Sequence, residues 1–232
     1  MDIKEELIYG KGWVLVDVDK PESLDRLCQS FIHEANKIVG NDSILNINDF
    51  IDYLLTLNDS EANTLKLKLI FIKDLALNLQ KSFIESTIKL TGHEIFLQRR
   101  SHVMFNIPGH TQPSMQHIDG MSGISPYAYI IWAPLHDITD DSGIYALDQH
   151  SSMKIMNEEK QNGYVMGNAV HDYQFEPLQM PYGKAIIFNP FVLHGSIPHK
   201  GGLPRIGITN RFQSRLYPLF LRDSDFFTPC NI

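Results

Sequence analysis

Cysteine is nearly absent. Only Cys28 and Cys230 occur in 232 residues, and they lie near opposite ends of the chain. That excludes a disulfide framework and a thiolate metal cluster. A single Cys28–Cys230 bridge stays open, although nothing in the sequence asks for one. Such sparse usage points to a reducing, cytoplasmic setting. Long apolar runs are also missing, and none approaches the roughly 20 residues of a helical membrane span. The opening MDIKEELIYG is too acidic and polar for a secretory signal. Nor is there a basic excess: 20 Lys and Arg stand against 27 Asp and Glu, for a net charge of −7. Nucleic acid and membrane are therefore not expected partners, because phosphate neutralisation needs clustered cations. No repeat, low-complexity tract or linker breaks the chain.

What remains is ordinary globular material, 43% hydrophobic and 20% charged, which argues against disorder. The length suits one domain with a sizeable core. Its texture changes near residue 92. Before that point helices dominate, apart from a short strand over 12–18. Pro21 suits a helix start. Leu24, Leu27, Cys28, Phe31, Ile32, Ala35 and Ile38 follow at helical spacing, and Gly40 ends the run. A short helix is expected over 48–57 and a long one over 61–90, closed by Gly92. After residue 92, strands are expected over 95–106, 114–119, 127–135, 144–147, 184–189, 192–197 and 205–212. Gly and Pro clusters separate them. A helical insert is expected over 151–161. The pattern predicts a mainly β single domain, 1–232, of sandwich or jelly-roll type. Residues 1–92 would form a helical buttress and 93–215 the β core, with 136–180 as lid or insert.

The sharpest local feature is Gln116-His117-Ile118-Asp119-Gly120. On a strand, residues i and i+2 share a face, with Cα atoms about 6.6 Å apart, so both side chains can reach one ion. His194, at the end of the apolar run 186–193, is the best third ligand. Two histidines and one carboxylate leave coordination positions open, as in non-haem Fe(II) sites; the same set also suits zinc. The triplet can equally arise by chance around a structural histidine. His110, seven residues before His117, is the nearest competing ligand; His33 is expected on the exposed side of the first helix, and His93, His136, His150, His171 and His199 lack a partner at ligand spacing.

Arg205 follows His194 by eleven residues. If the intervening segment is a hairpin turning near Lys200-Gly201, Ser196 lies opposite Arg205, and both share a face with His194. A guanidinium fork plus a hydroxyl makes a carboxylate receptor beside the metal, fitted to a dicarboxylic 2-oxo acid. Alternatively, Arg205 is a surface strand residue. Strand alternation places Arg100, His102, Met104 and Asn106 on one face, and Arg205, Gly207, Thr209, Arg211 and Gln213 on another. An inward Arg211 needs an anion, either an internal carboxylate or a substrate carboxylate or phosphate. Trp132 either walls the cosubstrate or fills core.

The chain resembles the phytanoyl-CoA dioxygenase family of Fe(II)- and 2-oxoglutarate-dependent oxygenases, from Gly12-Trp13-Val14 through Arg205-Ile206-Gly207. The resemblance implies a double-stranded β-helix (a jelly-roll, cupin-like fold) with helices packed outside. It assigns the iron to His117, Asp119 and His194, and 2-oxoglutarate to Arg205 and Ser196; strand placement, not the resemblance, adds Trp132 and His102 as candidate cosubstrate neighbours. Arg100, Asn106 and Arg211 are the candidate substrate contacts. It implies use of O2, release of succinate and CO2, and C–H oxidation of a small metabolite, an anionic one among the options. The carboxylate of Asp119 favours hydroxylation or desaturation over halogenation. A family segment Asn-Gly-x-Leu, followed by Gly-Ser-His, reads here as Ser142-Gly143-Ile144-Tyr145 and Gln149-His150-Ser151, a departure that touches no metal ligand. Two other classes stay open: a jelly-roll metal-binding protein, and a zinc- or other metal-dependent isomerase or hydrolase without O2 chemistry.

Overall fold

Alternating apolar residues give each strand two usable faces, and the chain uses both. The computed structural model describes residues 2–40, 42–110, 116–138, 143–161, 177–196, 201–219 and 226–232. Its strands are β1 (Trp13–Asp17), β2 (Glu94–Gln98), β3 (His102–Asn106), β4 (Tyr129–Pro134), β5 (Ile144–Ala146), β6 (Lys184–Phe188), β7 (His194–Ser196), β8 (Arg205–Ser214) and β9 (Phe227–Asn231). The main sheet is antiparallel in the order β1-β6-β4-β8-β2-β9, with β3 also paired to β8. β5 and β7 form a separate two-stranded sheet.

Ile131 and Ala133 of β4, Ala185 and Ile187 of β6, Ile206 and Ile208 of β8, and Val103 and Phe105 of β3 point to the helices and join the largest core cluster. Their neighbours Ile130, Trp132, Ile186 and Phe188 point the other way, into a second cluster. This period-2 division sends Arg205, Gly207, Thr209 and Arg211 to the second face as well.

The helices are α1 (Ile3–Ile8), α2 (Pro21–Val39), α3 (Ile47–Leu55), α4 (Asp59–Leu69), α5 (Leu75–Ser82), α6 (Ile84–Thr91) and α7 (Gln149–Gln161). α2 starts on Pro21 and ends where Gly40 turns left-handed at φ 70°. Leu24, Leu27, Phe31, Ile32 and Ala35 form its buried stripe. Burying each Leu or Phe stabilises the fold by roughly 1.5–3 kcal/mol. Asn46 and Asn58 cap α3 and α4, each in a reciprocal box with Asp49 or Glu61. Among the described residues no helix is long and apolar enough to cross a membrane. Cys28 and Cys230 are both free thiols.

Several expectations are corrected. The single strand over 95–106 is two strands, because the chain leaves the sheet at Arg99–Ser101 and both halves return to β8. The helix over 61–90 is three, broken before α5, where Asp74 takes φ 61°, and again at Phe83. β1 lies within the expected helical buttress and β9 beyond the expected β core, yet both belong to the main sheet. Residues 139–142 and 162–176 of the expected lid, with Asp140, Asp141 and His171, lie outside the described residues, as do His199 and residues 114 and 115 of the expected strand over 114–119.

Candidate metal centre

His117 and His194 are clasped by their own backbones. His117 N–H donates to the His194 carbonyl at 3.0 Å, and His194 N–H to the His117 carbonyl at 3.1 Å. Their rings stand 4.2 Å apart between centroids. Past this bridge the chain does not continue as a strand. Asp119 opens a 3-10 turn, Asp119–Ser122, which folds its carboxylate back beneath the histidines. His117 Nε2 lies 3.3 Å from Asp119 Oδ1. One ligand atom from each of His117, Asp119 and His194 lies within 4.8 Å of the others. Among the described residues this is the one such grouping of three His, Cys, Asp or Glu.

The donor chemistry fits a divalent first-row ion. His194 Nδ1 is 3.0 Å from the Val192 carbonyl, which can only accept, so Nδ1 carries the proton and Nε2 is left to ligate. Phe188 packs on the same ring at 4.4 Å. Burial depresses the His194 pKa to about 4, which keeps the imidazole neutral, as a ligand must be. Asp119 is 2% exposed. Burial alone would raise its carboxyl, but the hydrogen bond from His117, with the charge of Arg211 and the attraction of both histidines, outweighs it. The carboxyl is held well below its ordinary value.

A cavity opens beside the triad and divides into two ends. At one end sits Arg205, 2% exposed. It donates to the Ser196 hydroxyl and, at 2.6 Å, to the Gly143 carbonyl. With its amide oxygen turned to the guanidinium, Asn106 accepts from Nη2 at 2.9 Å. Burial lowers the Arg205 pKa to about 10, so it stays a cation at neutral pH. The hairpin expected between Ser196 and Arg205 is not what joins them. β7 pairs with β5, β8 pairs with β3 and β4, and the two residues meet across the gap between the sheets. The turn at 197–200 lies outside the described residues.

At the other end are His102, Thr209 and Arg211. Burial and then the charge of Arg211 lower the His102 pKa, against the pull of Asp119. Trp132 covers Gly207 so closely that a Cβ there would fall 2.5 Å from its ring.

The three candidate substrate contacts stand as follows. Arg100 is exposed, its guanidinium 4.6 Å from the Phe71 ring, because the alternation ends at the break between β2 and β3. Asn106 serves Arg205. The anion on Arg211 is Asp119, with contacts of 3.0 and 2.8 Å to Oδ2. His110 pairs with Asp59 at 2.8 Å and is not part of the triad's grouping. The Gly143 carbonyl went unforeseen, as a backbone acceptor leaves no residue-type signal.

No family model and no curated protein matches the sequence. Solved structures do. A non-haem α-ketoglutarate-dependent carbocyclase, SnoK from nogalamycin biosynthesis, is 12% identical at a TM-score of 0.58, covering 100% of this chain and 97% of its own. EctD from S. alaskensis with bound Fe is 12% identical at 0.54, covering 94% and 79%. The nickel complex of the non-haem monooxygenase ThoJ is 13% identical at 0.53, covering 91% and 76%. The chain thus shares with these structures a jelly-roll fold buttressed by helices, with a main sheet not closed into a barrel. These neighbours are consistent with the resemblance to the phytanoyl-CoA dioxygenase family.

Proposed function

We propose that this chain is an Fe(II)- and 2-oxoglutarate-dependent oxygenase that oxidises a C–H bond of a small molecule. The observation that carries this reading is the shared cavity of the His117–Asp119–His194 triad and the buried Arg205–Ser196 pair. The α-ketoglutarate dependence of SnoK and the iron bound by EctD support it. Iron with 2-oxoglutarate and O2 would supply the oxidation, releasing succinate and CO2.

The chain's own residues do the rest. His117, Asp119 and His194 would hold the ion on one side and leave the cavity side open. Arg205 and Ser196 would grip the distal carboxylate, because a buried guanidinium with a neighbouring hydroxyl is a strong carboxylate receptor. Trp132 and Phe188 present apolar faces to the cavity and exclude water. No side chain is required as a general base.

The test is succinate release from purified protein given Fe(II), 2-oxoglutarate and O2. Uncoupled release at a measurable rate is expected from the natural chain, with loss of about a hundredfold or more in Asp119→Ala. No succinate in the presence of Fe(II), 2-oxoglutarate and O2, together with turnover of a substrate under nitrogen, would sink the proposal in favour of a metal-dependent isomerase or hydrolase.

A further inference from the structure

The contact between Arg211 and Asp119 has a particular geometry. A guanidinium fork commonly gives one N–H to each carboxylate oxygen. Here Nε and Nη2 converge on a single oxygen, Oδ2, at 3.0 and 2.8 Å. Oδ1 faces His117 Nε2 instead. The third guanidinium nitrogen, Nη1, lies 3.3 Å from Gln98 Oε1. Gln98 is 1% exposed, and its own Nε2 donates to the Arg100 carbonyl at 2.7 Å. The guanidinium is therefore fixed from both sides, by the carboxylate and by β2. Its backbone is fixed too, since Arg211 pairs with Ile130 in the middle of the sheet.

We propose that Arg211 is a positioning residue that restricts Asp119 to one-oxygen coordination, and so keeps open the metal position a two-oxygen carboxylate would take. This rests on the oxygenase reading above. Nε donates a hydrogen bond to Oδ2 and the charged Nη2 lies at ion-pair distance from the same oxygen, so the guanidinium engages Oδ2 and not Oδ1. Only Oδ1 is then left for an ion. Two imidazoles and one oxygen occupy three positions of an octahedral ion and leave three. A chelating 2-oxo acid takes two of these and O2 needs the third. If Oδ2 also bound the ion, only two would remain, and cosubstrate and O2 would compete. Arg211 thus acts through Asp119, and contact with the substrate is not its role.

Co(II) serves as the probe, because its visible absorption reports coordination number. Wild-type protein, Arg211→Gln and Arg211→Lys are titrated with Co(II), then with 2-oxoglutarate by calorimetry; melting curves of the metal-free forms check folding. Arg211→Gln is expected to bind Co(II) with an altered visible spectrum. Its affinity for 2-oxoglutarate should fall by about tenfold or more, the usual cost of removing a group that orients a metal ligand. Arg211→Lys, with one ammonium in place of a fork, should fall between. A wild-type spectrum and unchanged 2-oxoglutarate affinity in Arg211→Gln would overturn the inference. So would full rescue by Lys, which would make charge alone sufficient. Should Arg211→Gln fail to fold, Arg211→Lys and Gln98→Leu, which releases Nη1, carry the same comparison. If the wild-type chain takes up no Co(II), the oxygenase reading falls with it; if it binds both and the variants match it, only the role of Arg211 is lost.

Discussion

Gly207 shows how tightly the cavity is built at the level of single atoms. Its missing side chain is the space the Trp132 ring fills. Gly207→Ala should force the indole or the strand to move, lowering stability by about 1–3 kcal/mol, read as a drop in melting temperature. An unchanged melting curve would mean the ring yields freely. At this scale the sequence was informative wherever chemistry is local. His117 and Asp119 stand two apart, and His194, Ser196 and Arg205 lie within one short stretch, so residue type and spacing marked them as candidates, while their roles were assigned by the family resemblance. Arg211 was legible as an inward cation but not as the partner of Asp119, since the two are distant in the chain and only the fold joins them. Arg100 was misplaced for a related reason. Alternation was carried through Arg99–Ser101, where no glycine or proline marks the exit from the sheet.

The same limit appears at the level of elements. The break between α4 and α5 falls in Ile70-Phe71-Ile72-Lys73-Asp74, again with no glycine or proline, and it is made by Asp74 in a left-handed conformation. β9 was obscured by Pro229, which strands tolerate at a sheet edge, and β9 is the edge strand beside β2. By contrast, α2 was readable from Pro21 to Gly40 because both its start and stop are set by backbone chemistry. The caps of α3 and α4 are of the same local kind. Asn46 Oδ1 accepts from Asn48 N–H at 2.9 Å and from Asp49 N–H at 3.2 Å. Asn46→Ala should cost about 1 kcal/mol. Denaturant titration checks it through a lower midpoint with an unchanged slope.

For the molecule as a whole, the candidate centre ties stability to pH. The His194 imidazole titrates near 4 in the folded chain, against an ordinary value of 6.5. Between those values the unfolded chain binds more protons, so stability rises with pH across the window and is lost as pH falls through it. The metal-free protein should therefore melt at a lower temperature at about pH 5 than at about pH 7, and the gap should narrow in His194→Gln. A gap of equal size in that variant would assign the effect to other groups.

The backbone clasp between His117 and His194 bears on how an ion would come and go. Two segments far apart in sequence are joined by a reciprocal pair of peptide hydrogen bonds. The loop-closure entropy of that meeting is charged to folding, not to binding. An ion arriving at the triad would find two of its three ligands already neighbours, and one leaving would not release the chain ends that hold them. Loading and unloading then become exchange on a standing scaffold, set by the kinetics of ligand substitution and not by refolding of the protein.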